Sequence, residues 1–253
     1  MAKEKEQQDY SLFFKFIDKY CLEGFSTIKE SDSLMQELEE LMDMNNQFFF
    51  LADLLKFKIL YTSKRSLDLI GFAPNDFDPQ SFMSKLHPDE FARFFQARAK
   101  LIKISEELLS TNKKHLLFST NFKSLNNEGN YTNLLHQALL FYCDVNKSVY
   151  ILKIHTNIDW YVKNKEGIQH YIGEDLSYFN YPTEQLLEKG NLFSKREFEI
   201  IKLIDQGLST KEIAQKLFIS PYTVNTHRRN IINKTEKSKI SEIITELKEN
   251  GFL

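Results

Sequence analysis

The chain contains a capped helical segment at Ser220-Pro-Tyr-Thr-Val-Asn-Thr-His-Arg-Arg-Asn-Ile-Ile-Asn-Lys234. Ser220 can cap this helix through its hydroxyl. Pro221 suits the first helical position, because the N–H that proline lacks would have no intrahelical partner there. From Tyr222 onward the segment carries no acidic residue. That composition suits a surface that faces phosphate groups.

Two shorter helices are predicted directly before this segment. Ser194-Lys-Arg-Glu197 and Ser209-Thr-Lys-Glu212 each place a hydroxyl at a helix start and a carboxylate three residues later. Such capping boxes satisfy backbone N–H groups that the first turn would leave unpaired. Gly207 ends the first helix, since glycine adopts the left-handed conformation without steric cost. Only Phe218 and Ile219 separate the second helix from the third, a spacing typical of a helix-turn-helix.

The third helix has an apolar and a polar side, at about 100° per residue. Val224 and Ile231 mark the apolar side, whereas Tyr222, Thr226, Arg229 and Asn233 lie opposite, with Asn225 on the shoulder. Hydrogen-bonding side chains on an acid-free face can read base edges in the major groove. An ordinary solvated helix face is the alternative, but the two preceding helices favour DNA binding.

The segment from Phe193-Ser-Lys-Arg-Glu-Phe to Thr223-Val-Asn-Thr-His-Arg-Arg-Asn-Ile-Ile-Asn-Lys234 resembles the LuxR-type four-helix DNA-binding domain. The resemblance covers about the last quarter of the chain. It implies that the third helix enters the major groove and that the fourth serves dimerisation. It places Asn225, Thr226 and Arg229 at the bases. It places six further residues near phosphates: Thr210, Lys211, Tyr222, Thr223, His227 and Lys234.

Two positions depart from the family pattern. Asn225 stands where the family usually has lysine, which replaces a cation with an amide able to pair with adenine. Thr235-Glu-Lys237 stands where Leu-Gly-Val is common, so the turn into the fourth helix is expected to differ. A helically spaced apolar stripe follows in the fourth helix, formed by Ile240, Ile243, Ile244 and Leu247. The stripe either closes the domain's own core or forms a dimer contact, and the sequence leaves both interpretations open.

The charge of the chain is unevenly distributed. Residues 191–253 hold 11 Lys and Arg against 8 Asp and Glu, a net charge of +3, whereas residues 1–190 hold 22 against 27, a net charge of −5. Basic charge therefore accompanies the predicted helix-turn-helix, and the acidic part is not expected to bind DNA by itself. A length of 253 residues indicates two domains of ordinary size.

Cysteine content and hydropathy indicate a cytoplasmic protein. Cys21 and Cys143 are too few for a disulfide framework and lack metal-ligand spacing. We expect both to be buried or half-buried in a reducing compartment. The charged start, Met-Ala-Lys-Glu-Lys-Glu, does not resemble a signal peptide. No apolar run approaches the roughly 20 residues of a membrane span, so no membrane association is expected.

The N-terminal part predicts helices followed by an antiparallel sheet. Residues 1–45 are assigned to N-terminal helices that cap the next domain or form dimers. Residues 46–159 contain two short strands, short helices, a longer helix from about Pro88 to Leu109, and three further strands with turns at Asn126–Asn130 and Asp144–Lys147. This order, with Leu86-His-Pro-Asp-Glu90 and the closing Thr156-Asn-Ile-Asp159, resembles a PAS domain. The predicted fold class is α+β, with a five-stranded PAS-like sheet and an all-α C-terminal domain.

The PAS resemblance implies either a small-molecule ligand or pairing between domains. We predict no cofactor, and an unidentified ligand of the PAS-like domain is left open. His87 is interpreted as a helix-entry residue rather than a haem ligand, and His136 and His155 lie on predicted strands. Cys143 lacks the surrounding motif of PAS domains that form flavin adducts. No metal site is expected.

Residues 160–192 are assigned to a linker that is rich in aromatic residues. A flexible linker would be rich in Gly and Ser, so this segment is expected to pack on the PAS-like domain or between protomers. The alternative is that it transmits the signal. Residues 193–253 form the DNA-binding domain.

The sequence as a whole favours a one-component transcriptional regulator. We expect a homodimer bound to double-stranded DNA, with RNA polymerase as a candidate partner. The chain has no nucleophile elbow, P-loop, dinucleotide fingerprint or zinc spacing, so no enzymatic activity is predicted. The alternative is a scaffold or co-regulator whose helix-turn-helix contacts protein. An acidic or strongly apolar recognition face would favour that alternative, and this face is neither.

Overall fold

The structure is a computed structural model that describes residues 10–111, 115–161, 170–189, 192–235, 237–249 and 253. Three features discussed above lie wholly or partly outside the described residues: the charged N-terminus, residues 162–169 of the segment assigned to the linker, and Glu236 in the turn before the last helix.

A six-stranded antiparallel sheet forms the centre of the N-terminal part. The strands are β1 (Gln47–Asp53), β2 (Lys58–Thr62), β3 (His115–Leu125), β4 (Tyr131–Cys143), β5 (Ser148–Asn157) and β6 (His170–Gly173). Their spatial order is β2-β1-β5-β4-β3-β6. The prediction of a five-stranded PAS-like sheet is confirmed for the first five strands. The sixth strand comes from the segment assigned to the linker and pairs with β3, with Thr120 opposite His170.

Three helices cover one face of the sheet: α3 (Ser66–Ile70), α4 (Pro79–Ser84) and α5 (Phe91–Thr111). Asp78 caps α4 by accepting hydrogen bonds from the N–H groups of Gln80 and Ser81. His87 begins the short turn before α5, where its Nδ1 accepts a hydrogen bond from the N–H of Asp89. The interpretation of His87 as a helix-entry residue is therefore confirmed.

Two N-terminal helices, α1 (Ser11–Glu23) and α2 (Ser33–Met44), cover the opposite face. Phe13 and Phe16 of α1 pack in one core with Phe49 of β1. Every residue of β1 is buried, which explains why its stretch Phe48–Ala52 is a continuous apolar run and does not alternate. The N-terminal helices thus pack on the sheet, and a role of these helices in dimerisation stays a prediction.

The C-terminal part is helical, with α6 (Glu184–Lys189), α7 (Lys195–Asp205), α8 (Thr210–Lys216), α9 (Pro221–Asn233) and α10 (Ile240–Glu249). α10 lies against α7 and α9, and also against α5 of the N-terminal part. The predicted α+β class with an all-α C-terminal domain is confirmed. Within the ranges given above, no helix is long and apolar enough to cross a membrane.

Candidate nucleic-acid interface

Side-chain caps fix where α7, α8 and α9 begin. In the first capping box Ser194 Oγ accepts from the N–H of Glu197, and the Glu197 carboxylate accepts from the N–H of Ser194. Ser209 and Glu212 form the same reciprocal pair at α8. At α9 Ser220 Oγ accepts from the N–H of Thr223 at 3.0 Å, with Pro221 in the first turn. All three predicted helix starts are present.

Left-handed residues end α7 and α8 and set the angles between the helices. Gly207 has φ +83°, and the N–H of Leu208 bonds the carbonyl of Leu203 at 3.1 Å, as in a Schellman motif. Phe218 ends α8 in the same way with φ +54°. Its side chain is 96% exposed. An aromatic residue that is both fully exposed and in a left-handed backbone conformation is unusual. A phenylalanine in the sequence does not predict such a conformation.

The two sides of α9 are as predicted. Val224 and Ile231 are fully buried. Tyr222, Asn225 and Arg229 are exposed, and Thr226 is half-buried. The hydroxyl of Thr226 donates to the carbonyl of Tyr222 in its own helix, 3.1 Å away.

The residues assigned to phosphates are all at least partly accessible to solvent. Lys211 and Lys234 are exposed, and Thr210, Thr223 and His227 are half-buried. Thr223 Oγ1 lies 2.9 Å from Ser220 Oγ, so its hydroxyl already takes part in the cap. Contacts of all these residues with bases and phosphates stay predictions.

Lys234 has a second role that the motif alone did not indicate. Its Nζ lies 2.6 Å from Oε2 of the buried Glu197, and this ion pair ties the end of α9 to the start of α7. Burial by itself would raise the pKa of Glu197. The hydrogen bonds from Lys234 and Ser194 outweigh burial and hold that pKa below its usual value.

Arg196 supports the turn between α8 and α9 from behind. Its Nη2 donates to the carbonyl of Leu217 at 2.8 Å, and its Nη1 pairs with Glu199 at 2.6 Å. Sequence reasoning did not identify this role, because Arg196 lies 21 positions from Leu217 in the chain. The turn is held by a fixed hydrogen bond, which preorganises the exposed face of α9.

The apolar stripe of α10 is largely internal to the domain. Ile240, Ile243 and Leu247 are buried within the single chain, whereas Ile244 is half-buried. This favours the interpretation that the stripe closes the domain's core. A dimerisation role for the stripe stays a prediction.

The histidines considered as ligands are engaged within the protein. His136 Nδ1 lies 2.8 Å from His155 Nε2, and the ring of His155 stacks on Phe48 with centroids 4.5 Å apart. In the described ranges, no group of three or more His, Cys, Asp or Glu side chains is arranged to hold a metal ion. Cys143 is buried and Cys21 half-buried, both as free thiols.

Short capped helices, a fixed tight turn and a longer helix with an acid-free outer face define a helix-turn-helix domain of the DNA-binding class. Residues 191–247 match the family described as bacterial regulatory proteins, luxR family. The C-terminal domain of the chain belongs to this family, and the resemblance stated from the motif is confirmed.

Curated relatives share this domain. The oxygen regulatory protein NreC of Staphylococcus aureus is 37% identical over 73 residues, which is 29% of this chain and 34% of NreC. The chain thus spans about a third of the length of the curated relatives that it matches.

Solved structures align with this chain only at low similarity. The Vibrio cholerae VqmA dimer, in the absence of target DNA, aligns over 85% of this chain and 88% of VqmA with 14% identity and a TM-score of 0.35. The PAS-B domain of Drosophila melanogaster Cycle, with bound glycerol, aligns over 44% of this chain and 99% of that domain with 15% identity and a TM-score of 0.33.

Proposed function

We propose that the protein is a sequence-specific transcriptional regulator in which the PAS-like domain controls the DNA-binding domain. The observation that carries this proposal is the outer face of α9. Asn225 and Arg229 are exposed there, next to Thr226, on a helix whose ends and neighbouring turn are fixed by hydrogen bonds. Amide and guanidinium groups make the bidentate contacts by which proteins distinguish adenine and guanine.

In this proposal the phosphate contacts position the helix and the base contacts give sequence preference. Thr210, Lys211, Tyr222, Thr223, His227 and Lys234 supply the first kind, and Asn225, Thr226 and Arg229 supply the second. Two protomers would present α9 to half-sites about 34 Å apart, one turn of DNA. The expected location is the cytoplasm, with RNA polymerase as a candidate partner at the promoter.

The first experiment is selection of bound fragments from sheared DNA with the full-length protein, followed by titration of enriched and random fragments at two salt concentrations. We expect a motif of two spaced half-sites and an affinity that falls steeply with salt. Enrichment of no fragment at any salt concentration would contradict the proposal and would favour a scaffold whose helix-turn-helix contacts protein.

The second experiment tests Arg229 as a base-reading residue. Arg229→Ala should reduce the preference for the selected site over random DNA by about 5- to 150-fold, the equivalent of about 1–3 kcal/mol. Affinity for random DNA should change little. Arg228→Ala is the matched control, because Arg228 is the neighbouring cation of the same helix and is half-buried, whereas Arg229 is exposed. An equal loss on both DNAs would assign Arg229 to phosphate.

A further inference from the structure

The PAS-like domain has a partly open cavity of about 120 Å³ between the sheet and α4 and α5. Its wall is mainly aromatic and aliphatic, and includes Phe50, Phe82, Phe94, Phe118, Phe122 and Ile151. An engineered apolar cavity of about 150 Å³ binds benzene. The space therefore suits a molecule with the size of one aromatic ring or a short aliphatic chain. Protein interiors are normally close-packed, so an apolar cavity of this size is unusual.

Two cationic side chains reach this apolar wall from opposite sides. Lys153 extends from β5 with its Nζ 5.4 Å from the centroid of Phe50. Arg98 extends from α5, with its guanidinium 5.9 Å from the centroid of Phe57 and its Nη1 3.5 Å from Met83 Sδ. In the described part of the chain, neither has a carboxylate within ion-pair distance. Two like charges at an apolar wall create a site that an anion would stabilise.

Two carboxylates and a third cation also lie at the wall. Asp53 is already satisfied, because it accepts hydrogen bonds from Ser148 Oγ and from two backbone N–H groups and pairs with Lys56 at 3.2 Å. Glu90 belongs to the short turn before α5. Lys58 is exposed at the start of β2. The cations thus outnumber the acids at the cavity.

His136 supplies a neutral polar group to the same wall. Burial lowers the pKa of His136 and of His155 well below the usual value, so both rings are neutral and share one proton along their 2.8 Å contact. His155 Nδ1 is buried without a partner in the described residues. A buried acceptor without a partner is less costly than a buried N–H, so we assign the shared proton to His155 Nε2. His136 Nε2 then carries a proton and can donate.

Burial and the neighbouring Arg98 lower the pKa of Lys153 to about 8. Lys153 is still mainly protonated at pH 7, although burial and the charge of Arg98 both disfavour its charged form. An anion beside it would favour the protonated form and would be bound less tightly as the pH rises above 8.

We propose that this cavity binds a small organic monoanion whose apolar body fills the aromatic wall and whose carboxylate is held by Lys153 and Arg98. Such a ligand would be the signal that the PAS-like domain senses, and this biological role rests on the proposed function. The chemistry fits an aromatic or short-chain monocarboxylate.

Calorimetry with the full-length protein, without DNA, tests the proposal with matched probes. Benzoate and hexanoate should bind at pH 7, whereas benzamide, which has a similar shape and no charge, should bind at least tenfold more weakly. Benzylamine should not bind. Lys153→Met should weaken benzoate binding at least tenfold. Lys123→Met should leave it within twofold, because Lys123 is exposed on β3 and does not line the cavity. Circular dichroism spectra that match the wild type would show that the variants fold.

Three outcomes would overturn the proposal. Equal affinity for benzamide and benzoate would remove the role of the charge. A preference for benzylamine would assign the site to Glu90 and a cation. Absence of binding of every probe at millimolar concentration, in a protein that is folded and binds its DNA site, would leave the cavity without the proposed ligand class. Because binding is measured without DNA, failure of the DNA-binding proposal would appear separately, as loss of site selection with benzoate binding intact.

Discussion

The ion pair between Lys234 and Glu197 should contribute measurably to the stability of the DNA-binding domain. Removing one partner of a buried pair costs about 3–5 kcal/mol, whereas an exposed pair contributes about 0–1 kcal/mol. The side chain of Glu197 is 5% exposed and that of Lys234 is 41% exposed, so this pair lies between the two cases. We expect Lys234→Met to destabilise the domain by about 2 kcal/mol at neutral pH.

The destabilisation should depend on pH in a defined direction. The pKa of Glu197 is lowered in the folded protein, so the pair stabilises the fold above about pH 4, the usual carboxyl pKa. This contribution is lost as the pH falls through the lower pKa of the folded state. The difference between Lys234→Met and the wild type should therefore be complete at pH 7 and should shrink below pH 4.

Hydrogen-exchange mass spectrometry of the full-length protein can measure this effect locally. Peptides from α7 and α9 should lose about 30-fold in protection at pH 7, the equivalent of about 2 kcal/mol. Lys237→Met is the matched control, because Lys237 pairs at 3.3 Å with Glu246 and both side chains are more than 40% exposed. Equal losses for the two variants, or a loss for Lys234→Met that persists unchanged at low pH, would refute the reasoning.

Three further changes test the turns and the histidine pair. Gly207→Ala should destabilise the domain by about 1 kcal/mol, because alanine is strained in the left-handed conformation. An added Cβ would meet nothing within 4 Å, so no steric clash adds to this cost. An unchanged melting temperature would contradict this prediction. Phe218→Gly should stabilise by about 1 kcal/mol for the same reason, and a weaker affinity for the selected DNA site would show that the exposed ring contacts it. Because the pKa values of His136 and His155 are lowered in the folded protein, the stability of the fold should decrease as the pH drops below about 6.5. In His155→Gln the melting temperature should decrease less between pH 7 and pH 5 than in the wild type. An identical decrease would argue against the buried pair.

Local signals in the sequence predicted the DNA-binding domain well. Capping boxes, Gly207 and the apolar spacing of α9 act within a few residues, so their structural meaning does not depend on the rest of the chain. The hydrogen bond from Arg196 to Leu217 and the ion pair of Lys234 with Glu197 join residues 21 and 37 positions apart. No periodicity reports such pairs, and they became visible only when the helices were packed together.

The sheet was predicted for a different reason and with one omission. Alternating and continuous apolar runs between turn residues indicated β1 to β5, but His170–Gly173 is only four residues long and carries no periodic pattern. Such a strand forms because β3 offers an unpaired edge. The cavity was likewise beyond sequence reasoning, since Lys153 and Arg98 are 55 positions apart and their side chains meet the same space only through the packing of α5 on the sheet.

α5 takes part in both halves of the molecule. It supplies Arg98 and Leu101 to the cavity wall, and it also forms part of the surface on which α10 rests. With 21 residues it is about 30 Å long, and a continuous helix moves as a unit. If an anion in the cavity changes the affinity for DNA through this helix, thermodynamic linkage requires that DNA change the affinity for the anion by the same factor. The ratio of the benzoate affinities of the DNA complex and of the free protein therefore gives the coupling free energy between the two domains.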